Sequence, residues 1–354
     1  MAKTVNYNIA PIPNAGSVLI LVLIVVAGMT VLSMGLAYRT RVEIKLVNSH
    51  AQRTYVYYIA LGGMERIKAH LGAEEISASN IARICSFNSH AAAENLLGAS
   101  ENPLAQGRQL FYYLKDEQAH FDLNRSDPAS WEQIHNLPKE LRAGILDWQD
   151  SDDDISSEGA ESDFYEMLDP PYQSKNSAYS LLKELLYVNN VSLKNYIGED
   201  QNHNNILEAN ENDGWQQKPY DNHDGVLDLG LIDIFTVNGS QKININTAPA
   251  FIFSALPGLD EEVADIIVNC RAGSDGRVGT DDDVCFENAE DLVKLEELTE
   301  LQRDLLGQYC CYESQYFRIF TRASLENGID CCLMATASVA DNEVKIIYLE
   351  RLPQ

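Results

Sequence analysis

From Ser17 to Tyr38 the chain carries no charged residue, and Leu, Val, Ile, Met, Ala and Gly fill most of these positions. Nothing else in the sequence restricts the fold as strongly. About twenty such residues in a helix, at ~1.5 Å each, cross the ~30 Å hydrocarbon core of a bilayer. A cleaved secretory signal also has a polar start and an apolar core. That core runs only ~7–15 residues, however, and the small-residue cleavage site follows it. Here the run is longer, and the small residue suited to cleavage, Gly16, comes before it. The apolar segment is therefore expected to stay with the protein.

A polar leader ending in glycine, a retained apolar run and a following helix resemble the precursors of the type IV pilin-like family. The resemblance implies that a membrane-embedded prepilin peptidase cuts after Gly16 and that Ser17 becomes a methylated N-terminus. The apolar segment then serves first as an inner-membrane anchor and later as the helical core of a filament. Two positions depart from the family pattern. Lys3 is the leader's one basic residue, and the fifth residue after the cut is Leu21 where most pilins have glutamate. In packed pilin helices that carboxylate faces the terminal ammonium of a neighbour, and an unpaired buried ion is costly. A subunit with leucine there cannot neutralise a partner, which suits the filament tip. With a large extra domain, this missing glutamate resembles the GspK family of minor pseudopilins of type II secretion systems. That resemblance implies partners of the GspI and GspJ types, met through the N-terminal helix, and a periplasmic body.

Charge narrows the remaining choices. Lys and Arg total 26 against 53 Asp and Glu, a net charge of −27. Such a chain repels nucleic acid and anionic lipid and attracts divalent cations or basic partners. With 45% hydrophobic and 22% charged residues it has the composition of a folding sequence. Arg39, Arg41 and Lys45 follow the span, so charge alone favours an outside N-terminus; the pilin resemblance implies the opposite. The seven cysteines form no C-x-x-C pair, which leaves zinc or thioredoxin-like chemistry without a motif.

The expected organisation is α+β. It runs as leader 1–16, transmembrane and pilin helix 17–72, first part of the pilin domain 73–124, inserted acidic α-helical domain 125–310 and C-terminal strands 311–354. Val42, Leu46, Ile59, Met64, Ile67 and Leu71 continue a helical spacing past the anchor. Gly62-Gly63 is expected to bend that helix and Gly72 to cap it. Residues 109–114 and 120–124 read as two strands about a turn at 115–118. Residues 316–323, 331–340 and 343–352 read as three more, joined at Asn327-Gly328 and Asp341-Asn342. The pilin plan, a helix followed by an antiparallel sheet, is thus interrupted by a long insertion.

Within the insertion, residues 147–169 hold ten acids and no Lys or Arg: Asp147, Asp150, Asp152, Asp153, Asp154, Glu158, Glu161, Asp163, Glu166 and Asp169. By residue chemistry this is either a solvated acidic loop with aromatic anchors or part of a cation site. Asp147-Trp148, Gly159-Ala160-Glu161 and Pro170-Pro171-Tyr172 also resemble the corresponding stretch of the GspK family. A weak internal repeat pairs Phe121-Asp122-Leu123-Asn124, then Leu137-Pro138, with Ile243-Asn244-Ile245-Asn246, then Leu256-Pro257. The second copy resembles DNA-binding helix-hairpin-helix modules. Asp260, Glu261 and Glu262 occupy the place of the phosphate contact, where they would repel phosphate. No nucleic-acid partner is therefore expected, and packing of small helices is.

The sharpest local chemistry lies at 200–211. Asp200, Asn202 and Asn204 fill positions 1, 3 and 5 of an EF-hand-like loop, with the Ile206 carbonyl at 7, Glu208 at 9 and Glu211 at 12. Calcium takes six to eight hard oxygens from such a flexible loop. A second, partial loop offers Asn222, Asp224 and Asp228, with Tyr220 in place of a first acid and Asp213, Asp221 or Asp233 to borrow. One to two calcium ions are expected. A third acidic loop spans 275–283, flanked by Cys270 and Cys285. A disulfide between those two would close a loop of about 15 residues, worth about 3 kcal/mol. No G-x-S-x-G, Walker or H-E-x-x-H motif is present. The function expected is structural: a minor pseudopilin supporting protein export. The alternatives are a type IV pilus minor pilin or adhesin, or a membrane-anchored DNA-uptake module.

Overall fold

A computed structural model describes residues 15–354, apart from 74–75, 78–79, 86–107, 135–136, 201–206, 217–220, 277, 279, 281, 326, 341–342 and 353–354. Ala15–Ala73 form one uninterrupted helix, α1. Its most apolar window has a mean hydropathy of 2.7 and is not buried at all, so the helix is long and apolar enough to cross a membrane. Gly62-Gly63 does not break it. Gly63 instead permits close approach: a Cβ there would stand 3.1 Å from Leu110 Cδ1 and 3.4 Å from Thr321 Cγ2. From Ile59 onward, Ala60, Met64, Ile67 and Leu71 are buried at 3–4 residue spacing, the stripe that a helix presents to a sheet.

That sheet has four antiparallel strands in chain order: β1 (Arg108–Asp116), β2 (Tyr316–Leu325), β3 (Asp330–Ala340) and β4 (Glu343–Arg351). Tyr112, Leu114, Phe317, Ile319, Ala323, Leu333 and Ala335 are buried on the face that meets the end of α1. Their alternates Tyr113, Phe320 and Met334 join the core of the insertion, where Tyr113 stacks on Phe320 at 4.8 Å. Both faces are covered, which explains strands more apolar than simple alternation. The turn after β2 carries Gly328 at φ +81°, its N–H donating to Leu325 O at 3.0 Å. The Asp341-Asn342 turn lies outside the described residues.

The expected strand at 120–124 does not return alongside β1. Glu117–Ala119 form a 3-10 turn, and Phe121–Asp122 pair in parallel with Phe235–Thr236. The chain leaves the sheet here because Asp116, Glu117 and His120 are buried and occupied elsewhere. Asp116 Oδ2 accepts from Asn244 Nδ2 (2.9 Å), Thr247 Oγ1 (2.6 Å) and Ser314 Oγ (2.6 Å). Glu117 takes the Arg318 guanidinium at 2.7 Å, and Arg318 also donates to Phe235 O at 3.1 Å. Everything between β1 and β2 is therefore inserted into the sheet.

The insertion contains the repeat in full geometry. In the first copy, 121–236, Leu123 N–H donates to Thr236 O (2.9 Å), Asn124 N–H to Asp122 Oδ1 (2.8 Å) and Ser126 N–H to Asp122 O (2.9 Å). In the second, 243–311, Ile245 N–H donates to Cys311 O (3.0 Å), Asn246 N–H to Asn244 Oδ1 (2.9 Å) and Ala248 N–H to Asn244 O (3.0 Å). Asn124 brackets the backbone of Tyr179, as Asn246 brackets that of Phe286. Each copy then runs through a helix, α2 (Lys139–Asp147) or α3 (Glu261–Arg271), and an acidic loop. A capped turn follows, with Glu184 or Asp291 holding the N–H groups ahead of it. The last helix is Leu193–Ile197 in one copy and α4 (Glu300–Tyr309) in the other. Asp260 caps α3 by accepting from Val263 N–H at 3.0 Å, so the residue at the would-be phosphate contact serves the helix itself.

Candidate metal centres in the inserted domain

The first copy differs from the second by a detour. In the second, strand Cys310–Cys311 follows α4 directly; in the first, residues 198–230 intervene before Leu231–Ile234 and the closing strand. This detour holds the EF-hand-like loops. A bridge between Gly198 and Leu229, and Glu199 N–H donating to Asp228 O at 2.9 Å, set the start of the first loop beside the end of the second. Asp200 and Glu211 are buried carboxylates, and Glu211 Oε2 accepts from Glu208 N–H at 3.1 Å. Asn202, Asn204 and Ile206 lie outside the described residues. In the second loop, Asn222 donates to Asp228 Oδ2 at 3.2 Å and accepts from Asp224 N–H, while Asp224 accepts from Val226 N–H. Burial, then the Asp228 carboxylate, raises the pKa of Glu199. The donor set is all hard oxygen, as calcium requires.

Two of the borrowed acids have other work. Asp233 pairs with Lys115 at 3.2 Å. Asp221 accepts from the N–H groups of Asp213, Gly214 and His223, and these bonds outweigh burial to hold its carboxyl below the ordinary range. The third loop is likewise closed from within. Asp282 accepts from Ser274 Oγ (2.6 Å), Thr280 Oγ1 (2.7 Å) and the Ser274 and Asp275 N–H groups, which keep it well below the carboxylate range. The expected Cys270–Cys285 disulfide is not formed, and both side chains are thiols. Burial, then Glu297, raises the first; burial, then Asp283 and Glu287, raises the second. Neither is readily the thiolate that exchange needs.

A further carboxylate group sits in the first copy's acidic loop. Asp147 ends α2, Asp150 follows one turn on, and Glu161 precedes the turn Ser162–Tyr165. One carboxylate oxygen from each lies within 4.8 Å of the others. Trp148 and Tyr165 anchor this loop edge to face at 5.2 Å, and Tyr172 stacks on Tyr165. A Cβ on Gly159 would stand 1.9 Å from Asp147 Oδ2, so only glycine lets the backbone pass the carboxylate. Burial, opposed by the Ser174 hydroxyl and reinforced by Asp150, Asp147 and Asp153, pushes Glu161 up to about 7. Sequence reading marked this stretch as acidic without singling out these three. The Asp-x-x-Asp spacing at a helix end, with a glycine just ahead of the third acid, was the available signal.

An α+β protein with a helix long and apolar enough to cross a membrane, its sheet split by an acidic helical repeat, is the class that the fold defines. Residues 130–197 match the family described as type II secretion system (T2SS), protein K. It is 23% identical to the type II secretion system protein K of Pseudomonas aeruginosa, over 94% of this chain and 91% of the relative. Among solved structures it is similar to the GspK-GspI-GspJ complex of the enterotoxigenic Escherichia coli type 2 secretion system. That match has 14% identity and a TM-score of 0.49, covering 89% of this chain and 100% of the other.

Proposed function

We propose that the chain is a minor pseudopilin that works as a structural component of a type II secretion pseudopilus. The observation that carries this reading is the placement of the protein K domain inside a sheet split between β1 and β2, behind a helix able to span a membrane. In this reading α1 anchors the chain in the inner membrane and the remainder stands in the periplasm. Cleavage after Gly16 by a prepilin peptidase exposes Ser17 for methylation. The bare leucine at Leu21 fits the tip, where no terminal ammonium needs a partner. Assembly would run through the N-terminal helix to two other minor pseudopilins, of the GspI and GspJ types. Calcium in the loops 199–228, one or two ions, would relieve repulsion among Glu199, Asp200, Glu211 and Asp228.

The test is the N-terminal sequence and mass of the mature protein, recovered from membranes that hold the matching peptidase. A start at Ser17 supports the pilin-like reading. An intact Met1, or a start beyond the apolar run, overturns it.

A further inference from the structure

We propose that an exposed ridge of Phe164, Met167, Leu168, Tyr172 and Tyr187 docks a segment of another protein that is apolar on one face and basic at its flanks. The ridge is continuous. Phe164 meets Tyr165 edge to face at 5.4 Å, Tyr165 stacks on Tyr172 at 5.2 Å, and Tyr172 meets Tyr187 edge to face at 6.0 Å. Met167 N–H donates to Phe164 O and Leu168 N–H to Tyr165 O, at 3.2 Å each, which keeps both residues within a turn of the rings. Phe164, Leu168 and Tyr187 are exposed, and Met167 keeps 82% of its surface. Among the described residues no large hydrophobic side chain is more exposed. Single exposed apolar residues are ordinary, whereas a contiguous group with a polar rim marks a surface that a partner covers.

The ridge is also held in place. Tyr165 is fully buried and acts as its post, with Tyr172 N–H closing back on Tyr165 O at 3.3 Å. The Tyr165 hydroxyl accepts from Asn189 N–H at 3.0 Å, and the Tyr172 hydroxyl donates to Tyr187 O at 2.9 Å. Side chains fixed in advance lose little freedom on binding, and the flexible thioether of Met167 adapts the contact. The second copy of the repeat shows that the fold itself does not need this feature. There the chain passes from α3 to Phe286, the counterpart of Tyr179, through residues 272–285, which hold no aromatic residue. The first copy takes residues 148–178 for the same passage, and the added length carries the ridge.

Charge identifies the occupant. From residue 143 to residue 174 there is no Lys or Arg. The exposed Asp163, Glu166 and Asp169 alternate with the apolar side chains of the ridge. Glu166 accepts from the neutral Gln173 amide at 2.6 Å, and Lys175, the next cation along the chain, is taken by Glu184 at 2.7 Å. Carboxylates set among apolar groups repel an anionic lipid surface and attract Lys and Arg. The tyrosine and phenylalanine rings receive apolar side chains and offer their faces to the same cations. A basic, apolar-faced protein segment satisfies both halves of the surface.

The full chain supplies its own reporter when its methionine methyls are labelled with carbon-13 and it is held in phosphatidylcholine nanodiscs. Met64 and Met334 are buried, Met29 and Met34 lie in the apolar run, and Met167 stands on the ridge. The probe is the peptide Lys-Leu-Phe-Leu-Lys, with Glu-Leu-Phe-Leu-Glu as its counterpart, each titrated to millimolar concentration. The lysine peptide should shift the Met167 methyl resonance saturably and leave those of Met64 and Met334 in place. Asp163→Asn with Asp169→Asn, both at exposed positions, should weaken that response by about tenfold. Glu261→Gln with Glu262→Gln, on the exposed start of α3, should leave it unchanged. A Met167 signal that the lysine peptide does not move overturns the proposal, as does an equal response to the glutamate peptide. Equal weakening in the Glu261→Gln, Glu262→Gln protein reduces the effect to net charge and overturns it too. A shift produced by phosphatidylglycerol in the nanodisc, with none from the peptide, assigns the ridge to a membrane instead. None of these outcomes touches the secretion reading, which the mature N-terminus decides.

Discussion

The two copies of the repeat are built on one plan, but they satisfy their polar groups differently. In the second, the groups on the plan mostly meet protein, although Arg271 Nε does not. Asn246 holds both sides of the Phe286 backbone and also donates to Tyr312 O, and the exposed Asp282 gathers four donors. Arg271 donates to Ile245 O and Ala248 O at 2.8 Å each. In the first, Trp148 Nε1 and one oxygen each of Asp147, Asp150 and Glu161 have no partner, while Ser156 N–H and Ser174 Oγ serve the other oxygens of Asp147 and Glu161. The first copy also carries the detour with the EF-hand-like loops. The second copy thus closes mainly on its own donors, and the first leaves more of its carboxylate oxygens without one. A fold can be duplicated while its two copies satisfy their polar groups to different degrees.

The largest break in this comparison should come where the first copy joins the sheet. Glu117→Ala leaves Arg318 buried without its carboxylate, and breaking such a pair costs about 3–5 kcal/mol. Urea denaturation of the detergent-solubilised chain should show it with or without calcium. Next is Asn246→Ala, which strands the buried Phe286 N–H at a cost of about 1–3 kcal/mol. Asn124→Ala, its counterpart at a half-buried position, should cost less; equal costs would mean the two brackets do not differ with burial.

A pH series sharpens the contrast. His120 and Lys242 precede the opening strands of the two copies; the first is buried and the second exposed. Burial, then the charges of Arg318 and Lys115, lowers His120 from 6.5 to about 3. The unfolded chain takes up a proton near 6.5 and the folded one does not. His120's contribution is therefore complete above 6.5 and is lost as pH falls toward 3, at about 1.4 kcal/mol per pH unit. His120→Gln should flatten the acid limb of a melting-temperature profile, and an unchanged limb would remove His120 from the account. The smallest effect is calcium at the 199–228 loops. A Kd near 10⁻³ M gives less than about 1 kcal/mol at millimolar calcium. Asp200→Ala with Glu211→Ala should lower the melting temperature only when calcium is present.

Much of this was legible because it is periodic. The apolar run, the stripe Met64, Ile67, Leu71 and the strands of residues 316–351 follow spacings that a helix or sheet imposes directly. The repeat was visible because Asp122-Leu123-Asn124 and Asn244-Ile245-Asn246 bond within a few residues of themselves. What failed was non-local. Residues 120–124 alternate like a strand, but their partner is Phe235–Thr236, over a hundred residues on, and Arg318 decides the matter through Glu117. Gly62-Gly63 reads as a hinge until Leu110 is known to press on Gly63. Asp147 and Asp150 share a short spacing, but Glu161 joins them only because a reversing loop brings it back. Asp282 looks free to bind metal until its four donors are seen.

The nesting of the insertion fixes an order of closure. β1 waits for β2, and residues 117–315 must be made before the two can pair. Within that bracket, the first copy stays open until Phe235 arrives, while the second closes over 243–311 with a much nearer partner. A chain that emerges from its N-terminus must therefore hold the edge of β1 unpaired through most of its synthesis. β2 ends this exposure, and the last strands, β3 and β4, are the clasp that covers the far edge of β2. A truncation that spares every residue of the acidic domain but removes the clasp should leave a sticky half-sheet, and hence a protein prone to aggregate before it can assemble.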